Sequence, residues 1–337
     1  MWDFFIFNRM RKNILSGLLI TASIFMTGCG ESNKVSQEET SNAAFAQEVN
    51  ISEEEVSETL EYLSSEELAG RNTGTEGIEK AAVFIEEVFE KNDIKPFFET
   101  YRDSFEIKDR IGYNIVGFKE GTDPQLKDEF VIIGAHYDHI GEGKPVGDDS
   151  LANGANDNAS GTTAVLELAK YFANVDTKRS ILFTLYSAEE MGLVGSAHLA
   201  QRLKAENLDP YVMFNIEMIG VPMTDKDYLA YVTGYDLSNL AEKFNEYTGE
   251  KVLGFLPQAK EYNLFNRSDN APFYEQFQIP AQTISTFDFT NYEYYHHVDD
   301  EFQHMDVAHM ANLIEKIIPG IARMANSAEK EIKMTAE

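Results

Sequence analysis

The chain has 337 residues, of which 43% are apolar, 12% aromatic and 25% charged. That length and composition fit a large globular domain and exclude a wholly disordered, collagen-like or coiled-coil chain. The 57 acidic residues outnumber the 28 basic ones, so the formal net charge is −29 at pH 7. Because such a surface repels phosphate groups, we expect no nucleic-acid partner.

The first 28 residues carry the features of an export signal. Arg9, Arg11 and Lys12 precede an apolar run of roughly 13 residues, Ile14 to Met26, which is shorter than the roughly 20 residues of a membrane-spanning helix. Small residues then precede Cys29, the only cysteine of the chain, in an arrangement that resembles a bacterial lipobox. The resemblance implies a lipid anchor on Cys29 and an exported lipoprotein of the cell envelope. The alternative is an ordinary signal peptide with an incidental cysteine.

Beyond the leader, the composition predicts a tether followed by a single domain. Residues 29–51 are rich in Ser, Glu, Gln, Asn and Ala, which is typical of a flexible tether. Residues 52–337 form the predicted domain, within which we find no internal repeat. Ser52 and Glu55 form a capping-box signature that predicts the start of a helix, and a second helix is predicted over Gly77–Lys91.

From residue 113 onward, strand-like and helical patterns alternate. Apolar runs predict strands at Tyr113–Phe118, Phe130–Ala135, Ile181–Tyr186, Val212–Ile216 and Ala281–Ser285. Helical patterns follow several of them, at Gly161–Phe172, Leu193–Lys204 and Leu237–Tyr247, and a last long helix starts near Asp306. This alternation predicts an α/β fold, a three-layer sandwich around a central mixed, mostly parallel sheet.

Three of the predicted strands end in side chains that can bind a metal ion. The strands lead into His136 and Asp138, into Glu189 and Glu190, and into Glu217. Ligands of open α/β sheets bind at the carboxyl ends of the strands, and imidazole nitrogen with carboxylate oxygen suits zinc and neighbouring divalent ions. The sequence therefore predicts a metal site at this edge of the sheet.

The local spacing of these residues suggests two further roles. Asp138 lies two residues after His136, so in an extended segment both side chains project to the same side. We expect the Asp138 carboxylate to accept the second N–H of the His136 imidazole. Glu189 and Glu190 are adjacent and point in different directions, so one can bind metal while the other carries a proton.

Six motifs together resemble the M28 family of co-catalytic di-zinc aminopeptidases. They are GAHYDHIG (134–141), GANDNASG (154–161), SAEEMGLVGS (187–196), NIEMIG (215–220), RSDNAPF (267–273) and YYHHVDD (294–300). They occur in the family's order, and the resemblance covers about residues 55–325. It implies the zinc exopeptidase fold, a peptide substrate and two zinc ions per chain. We also expect a monomer.

The resemblance assigns roles to single residues. It implies that one zinc ion is held by Asp157, Glu190 and His296. It implies that the other is held by Asp157, His136 and Glu217.

The resemblance also implies residues that act beside the metal ions. Glu189 matches the general base, and Asp138 matches a carboxylate behind the ligands. Tyr295 resembles a tyrosine that stabilises the oxyanion, with a packing aromatic as the alternative. Ser268 and Asp269 match a pocket motif, and a helix N-cap is the alternative for this pair.

The chain departs from the family's pattern at three positions. Glu217 stands where the family usually has Asp and adds one methylene. Asn156 replaces a frequent acidic neighbour of Asp157. His297 replaces a frequent Thr, which leaves an exchange of ligand between His296 and His297 open. The remaining histidines, His139 among them, are expected to lie outside the site.

Three alternative functions remain on the sequence. A glutaminyl cyclase shares the fold but builds a pocket lined by tryptophan, and the only tryptophan here is Trp2 in the leader. A carboxypeptidase or dipeptidase activity also remains open, because Glu217 alters a position near the metal ions. A non-catalytic binding lipoprotein would have lost ligands or the base, and none is lost.

Overall fold

The computed structural model of the chain describes residues 49–335. The signal peptide predicted over residues 1–28, Cys29 and nearly all of the predicted tether lie outside the described residues. Among the helices of the described part, none combines the length and the apolar character needed to cross a membrane.

The described part contains eight α-helices. The first, α1, begins where predicted, because the Ser52 side chain accepts a hydrogen bond from the backbone N–H of Glu55 at 3.3 Å. Asp306 caps the last helix in the same way by accepting from the backbone N–H of His309 at 2.9 Å. The helices are α1 (Glu53–Leu63), α2 (Glu76–Lys91), α3 (Ser160–Ala173), α4 (Val194–Ala205), α5 (Leu240–Thr248), α6 (Pro257–Glu261), α7 (Asn270–Phe277) and α8 (Val307–Asn326).

The strands form one large sheet and one hairpin. They are β1 (Lys95–Pro96), β2 (Arg102–Ile107), β3 (Arg110–Lys119), β4 (Glu129–His136), β5 (Gly141–Val146), β6 (Asp149–Ala152), β7 (Ser180–Tyr186), β8 (Asp209–Ile216), β9 (Ala230–Val232), β10 (Leu253–Gly254) and β11 (Ala281–Ser285). The nine-stranded sheet has the order β1-β3-β7-β4-β8-β11-β9-β10, with β2 paired to β3, and β5 pairs with β6. Strands β7, β4, β8 and β11 are mutually parallel, whereas β3 runs antiparallel to β7 and β9 runs antiparallel to β11.

Helices cover both faces of this sheet. On one face, Leu199 and Leu203 of α4 and Phe273 of α7 join buried side chains of the central strands in one apolar cluster. On the other face, Phe214 of β8 stacks on Phe244 of α5 with ring centroids 5.3 Å apart. The central strands are buried on both faces, which is why their sequences are continuously apolar.

The predicted three-layer sandwich with a mixed sheet is confirmed. The five predicted strands correspond to β3, β4, β7, β8 and β11, and the predicted helices to α1 to α5 and α8. The sequence analysis missed β2 and the β5–β6 hairpin, which are more exposed and carry no continuous apolar run.

Candidate metal centre

The ends of the three central strands lie side by side. In the sheet, His136 of β4 pairs with Tyr186 of β7, and Gly134 of β4 pairs with Asn215 of β8. The segments that follow these strands therefore leave the sheet at the same edge. They carry Glu189 and Glu190 after β7 and Glu217 after β8, as the sequence predicted.

Asp157 lies at the centre of the cluster, and its two carboxylate oxygens face different histidines. Its Oδ1 lies 3.4 Å from Nε2 of His136. Its Oδ2 lies 3.2 Å from Nε2 of His296. Only 3% of the Asp157 surface is exposed. Burial raises the pKa of Asp157, but the neighbouring imidazoles of His136 and His296 outweigh it, so that the pKa falls well below its usual value.

Glu190 completes this side of the cluster. Its Oε2 lies 3.1 Å from Nε2 of His296, the same nitrogen that faces Asp157. His297, in contrast, points elsewhere and accepts a hydrogen bond on Nδ1 from the backbone N–H of Asp299 at 3.1 Å. The structure thus brings His296, and not His297, to Asp157 and Glu190.

The expected hydrogen bond between the Asp138 carboxylate and His136 is not formed. Nδ1 of His136 lies 3.1 Å from the backbone carbonyl of Asp138 and 3.7 Å from its carboxylate, which is too long for a hydrogen bond. The carboxylate instead accepts from the backbone N–H of Glu189 at 3.2 Å and from the hydroxyl of Thr73 at 3.3 Å. The backbone carbonyl of Asp138 already takes the hydrogen bond of the His136 imidazole. The Asp138 carboxylate is therefore free to orient the segment of Glu189.

The loop that carries Asp157 is held at two points. The buried Asp300 carboxylate accepts from the backbone N–H groups of Asn156 at 2.8 Å and of Asp157 at 3.0 Å. Asn158 donates to the carbonyl of Ile216 at 3.0 Å and accepts from the N–H of Met218 at 3.0 Å, which ties the loop to the end of β8. These bonds fix Asp157 relative to the segment of Glu217.

Glu217 sits on the other side of the cluster and accepts a hydrogen bond from the hydroxyl of Ser268. Burial raises the pKa of Glu217 to about 6, although the charge of His136 opposes the rise. Asp269 occupies the N-cap position of α7, but its side chain makes no cap hydrogen bond to the helix. Both of its carboxylate oxygens are buried without a hydrogen-bond partner among the described residues, and burial raises its pKa to about 7.

Glu189 carries the pKa shift expected of a proton acceptor in a buried acidic cluster. Burial raises the pKa of Glu189 well above its usual value. The charge of His136 opposes the rise, and the negative charges of Asp269 and Glu217 add to it. A raised pKa brings a carboxyl group closer to neutrality, where it exchanges protons efficiently.

Tyr295 and a small cavity lie next to Glu217. The cavity measures about 40 Å³, and half of its lining residues are apolar or aromatic, among them Tyr231, Phe287, Phe289 and Tyr295. The other half is polar or charged and includes Glu217 and Arg267. The Tyr295 ring stacks on His296 with centroids 4.0 Å apart, and 36% of the residue is exposed. Burial and the neighbouring carboxylates raise its pKa, so the hydroxyl keeps its proton and remains a hydrogen-bond donor.

His139 was expected to lie outside the site, and this expectation is wrong. It is fully buried, and its Nδ1 lies 2.8 Å from Oε1 of Glu190 and 3.8 Å from Oδ2 of Asp157. His139, Asp157 and Glu190 form a group whose possible ligand atoms all lie within 4.8 Å of one another. The position of His139 three residues after His136, within the same motif, was the signal that the sequence offered.

Arg71 is a second residue that the sequence analysis missed. It is 1% exposed, and its guanidinium donates to the carbonyls of Tyr137 at 2.9 Å, Asn153 at 2.6 Å and Gly154 at 2.9 Å, and also to that of Leu63. Burial lowers the pKa of Arg71 to about 10, although the nearby carboxylates raise it, so it remains a cation at neutral pH. One buried cation therefore ties the segments of His136 and Asp157 together.

Left-handed backbone conformations occur at three positions of the site. Ala188 has φ of 57°, Met218 has 49° and His296 has 54°. Each residue either carries a side chain of the cluster or is adjacent to one that does. Such conformations cost free energy in residues other than glycine and often mark functional sites.

The donor set of this cluster fits zinc. Zinc ligands at about 2.0–2.2 Å in tetrahedral geometry lie roughly 3.3–3.6 Å from one another. The nitrogen–oxygen separation between His136 and Asp157 is 3.4 Å and lies in this range, and those of His296 from Asp157 and Glu190, 3.2 and 3.1 Å, lie within about 0.2 Å of it. Nε2 of His136 is buried and has no hydrogen-bond partner among the described residues, which leaves it available to a metal ion; Nε2 of His139 shares this property but does not face Asp157 or Glu190, which His139 approaches through Nδ1.

A mixed sheet with imidazole and carboxylate donors at the carboxyl ends of its parallel strands defines an α/β protein with a candidate metal centre. The sequence profile of peptidase family M28 matches residues 114–319, more than half of the chain. The chain therefore belongs to peptidase family M28.

The curated relatives are longer proteins. Aminopeptidase YwaD of Bacillus subtilis is 32% identical over 163 residues, which are 48% of this chain and 33% of YwaD. The chain thus matches about a third of that relative's length.

Two solved structures share the fold. BSAP, described as a zinc aminopeptidase from Bacillus subtilis, gives a TM-score of 0.67 at 17% identity, covering 84% of this chain and 98% of BSAP. A glutaminyl cyclase of Fimbriiglobus ruber gives 0.64 at 17% identity, covering 82% of this chain and 97% of the cyclase. At these identities the likeness shows the fold and does not separate the two activities.

Proposed function

We propose that the chain is a metal-dependent aminopeptidase that releases N-terminal residues from peptides with the help of two zinc ions. The observation that carries the proposal is the geometry of Asp157, whose Oδ1 faces His136 and whose Oδ2 faces His296. A carboxylate with one histidine at each oxygen is arranged to bridge two ions. The membership of family M28 and the match to an aminopeptidase of Bacillus subtilis support this reading.

The chain offers each ion three protein ligands. Asp157, Glu190 and His296 would hold one ion, and Asp157, His136 and Glu217 would hold the other. Bound zinc would supply an acidified water and polarise the carbonyl of the scissile peptide bond. The longer side chain of Glu217, which replaces the usual Asp, is held by the hydroxyl of Ser268.

The proton transfers fall to Glu189. Its carboxylate would take the proton of the attacking water and pass it to the nitrogen of the leaving amine. Asp138 aids this role because its carboxylate accepts the backbone N–H of Glu189. The Tyr295 hydroxyl would donate a hydrogen bond to the oxygen that gains negative charge during attack.

The cavity next to Glu217 would receive the side chain of the substrate's first residue. Its walls include the rings of Tyr231, Phe287, Phe289 and Tyr295. These aromatic parts of the walls favour an apolar side chain, because water is displaced from both surfaces. We therefore expect peptides that begin with leucine or phenylalanine to be cleaved faster than those that begin with glutamate.

The replacement Glu189→Gln tests the assigned base. It keeps the size of the side chain but removes the proton acceptor, so kcat should fall by roughly 100-fold or more while zinc content stays unchanged. Glu61→Gln on the exposed face of α1 is the matched control and should leave both unchanged. A Glu189→Gln enzyme with near-normal kcat would show that another group carries the proton.

A peptide panel separates the competing activities. An aminopeptidase cleaves a free peptide and leaves its N-acetylated form intact, whereas a carboxypeptidase does the reverse. One structural neighbour is a glutaminyl cyclase, and an enzyme with that activity would convert a peptide that begins with glutamine into a cyclised product. A non-catalytic binding lipoprotein would turn over none of these peptides.

We also propose that the chain is exported, anchored in the cell envelope through a lipid on Cys29, and monomeric. Wild-type protein should fractionate with membranes and incorporate a labelled fatty acid, and Cys29→Ser should do neither. If the Cys29→Ser variant stays in the membrane fraction, the anchor lies elsewhere. Sedimentation of the released domain at the mass of one chain would support the monomer.

A further inference from the structure

The imidazole of His139 is fixed in place next to Glu190. Its backbone N–H donates to the carbonyl of Arg71 at 3.4 Å, and its ring packs on the backbone of Gly154. A Cβ added to Gly154 would lie 2.6 Å from Cγ and Cδ2 of the ring. Glycine is therefore required opposite His139, and the loop that carries Asp157 starts at this contact.

Two roles are open for an imidazole in this position. His139 could be a metal ligand together with Asp157 and Glu190, or it could hold one of them by a hydrogen bond. The distances separate the two. Donor atoms that share a tetrahedral zinc ion lie roughly 3.3–3.6 Å apart, whereas N–H···O hydrogen bonds span about 2.7–3.2 Å. The separations of Nε2 of His296 from Glu190 and Asp157, 3.1 and 3.2 Å, fall within about 0.2 Å of the ligand range. Nδ1 of His139 and Oε1 of Glu190 lie 2.8 Å apart, about 0.5 Å below that range, which is the length of a hydrogen bond.

The other oxygen of Glu190 behaves differently. Its Oε2 lies 3.1 Å from Nε2 of His296, which in turn lies 3.2 Å from Oδ2 of Asp157. His139 and His296 thus approach opposite oxygens of one carboxylate. An ionised carboxylate only accepts hydrogen bonds, so the shared proton belongs to Nδ1 of His139.

We propose that His139 is a positioning residue, which binds Oε1 of Glu190 through its Nδ1–H and leaves Oε2 alone to coordinate the ion that Asp157 and His296 share. This inference rests on the two-ion site of the proposed function. Partners of this kind orient carboxylate and imidazole ligands, and their loss typically lowers metal affinity by about 10- to 100-fold. His139 would therefore tune one of the two metal sites and leave the site of His136 and Glu217 unaffected.

The test measures zinc affinity by competition with a chelator, and it uses two variants. In His139→Asn, the amide nitrogen takes the place of Nδ1 and can still donate to Glu190. In His139→Leu, no donor remains. We expect His139→Leu to weaken one of two zinc sites by about 10- to 100-fold, and His139→Asn to restore most of that affinity.

His296→Ala is the control for a lost ligand, and His198→Leu, which replaces a partly exposed histidine of α4, is the control for the substitution itself. If both variants of His139 lose one zinc ion as His296→Ala does, His139 is a ligand and the proposal is wrong. If neither variant changes the affinity, it is also wrong. Should wild-type protein bind fewer than two zinc ions, the proposed two-ion site fails independently of His139.

A spectroscopic measurement on the wild-type chain decides the question even if His139→Leu does not fold. In protein loaded with cadmium-113, ligand nitrogens show a cadmium–nitrogen coupling in nitrogen-15 spectra. We expect this coupling for His136 and His296, and for His139 a proton on Nδ1 without coupling. His139→Asn assigns the signal, and a coupling at His139 would refute the positioning role.

Discussion

Replacing the buried Arg71 by methionine should strongly destabilise the protein. The side chain is 1% exposed, and its guanidinium donates to four backbone carbonyls. Methionine fills a similar volume but leaves all four carbonyls without this donor. The carbonyls belong to the end of α1 and to the segments after β4 and β6, so the loss affects the framework of the metal centre.

The size of the effect follows from two opposing contributions. Hydrogen bonds from a charged donor contribute about 1.5–3 kcal/mol each, so four of them give roughly 6–12 kcal/mol. Burial of the cation opposes this, since it lowers the pKa of Arg71 to about 10, which corresponds to roughly 3 kcal/mol against the charged form. Because the loops can relax, we expect a net loss near the lower limit, about 3 kcal/mol or somewhat more.

Urea unfolding of the metal-free protein measures this loss. Arg71→Lys should give an intermediate value, because an ammonium keeps the charge but reaches fewer carbonyls. Arg102→Met is the matched control, since Arg102 is partly exposed, pairs with Glu79 and Glu86, and should cost only about 1 kcal/mol. If Arg71→Met lost no more than Arg102→Met, the reasoning about the four carbonyls would be refuted.

Three further predictions concern the metal centre. Gly154→Ala should lower both the zinc affinity and the thermal midpoint of unfolding, because the residue has φ of 60° and its new Cβ would lie 2.6 Å from the ring of His139. Gly249→Ala is the control, because Gly249 has φ of 71° but open space around it. Removing the metal with dipicolinate should lower the thermal midpoint, since ligands bound at 1,000 times their Kd stabilise by about 4 kcal/mol; an unchanged midpoint argues against bound metal. The pKa of Asp269 is raised to about 7, so its protonated form stabilises the folded state at low pH, and this contribution is lost as pH rises from about 4 through 7. Asp269→Asn should reduce that loss in the metal-free protein, and an unchanged pH dependence of unfolding would contradict the shift.

The strands and most helices were predictable because their signals are local. A buried parallel strand needs a continuous apolar run, and the helices need an apolar stripe and a cap such as Ser52 or Asp306. The side chains that follow β4, β7 and β8 were recognisable for the same reason, since topology sends the ends of parallel strands to one edge. The exposed strand β2 and the β5–β6 hairpin escaped because half-exposed strands need no such run.

Residue order alone determined which types of donor the chain brings to the sheet edge: imidazoles and carboxylates, four of which, His136, Glu189, Glu190 and Glu217, lie at or just after the ends of buried strands. Only the tertiary structure decided how they are used. His139 faces Glu190, Arg71 joins loops distant in sequence, and the Asp138 carboxylate binds the backbone of Glu189 instead of His136. The physical reason is that hydrogen bonds depend on separations of a few tenths of an ångström between segments far apart in the chain, whereas sequence patterns report only local spacing and burial.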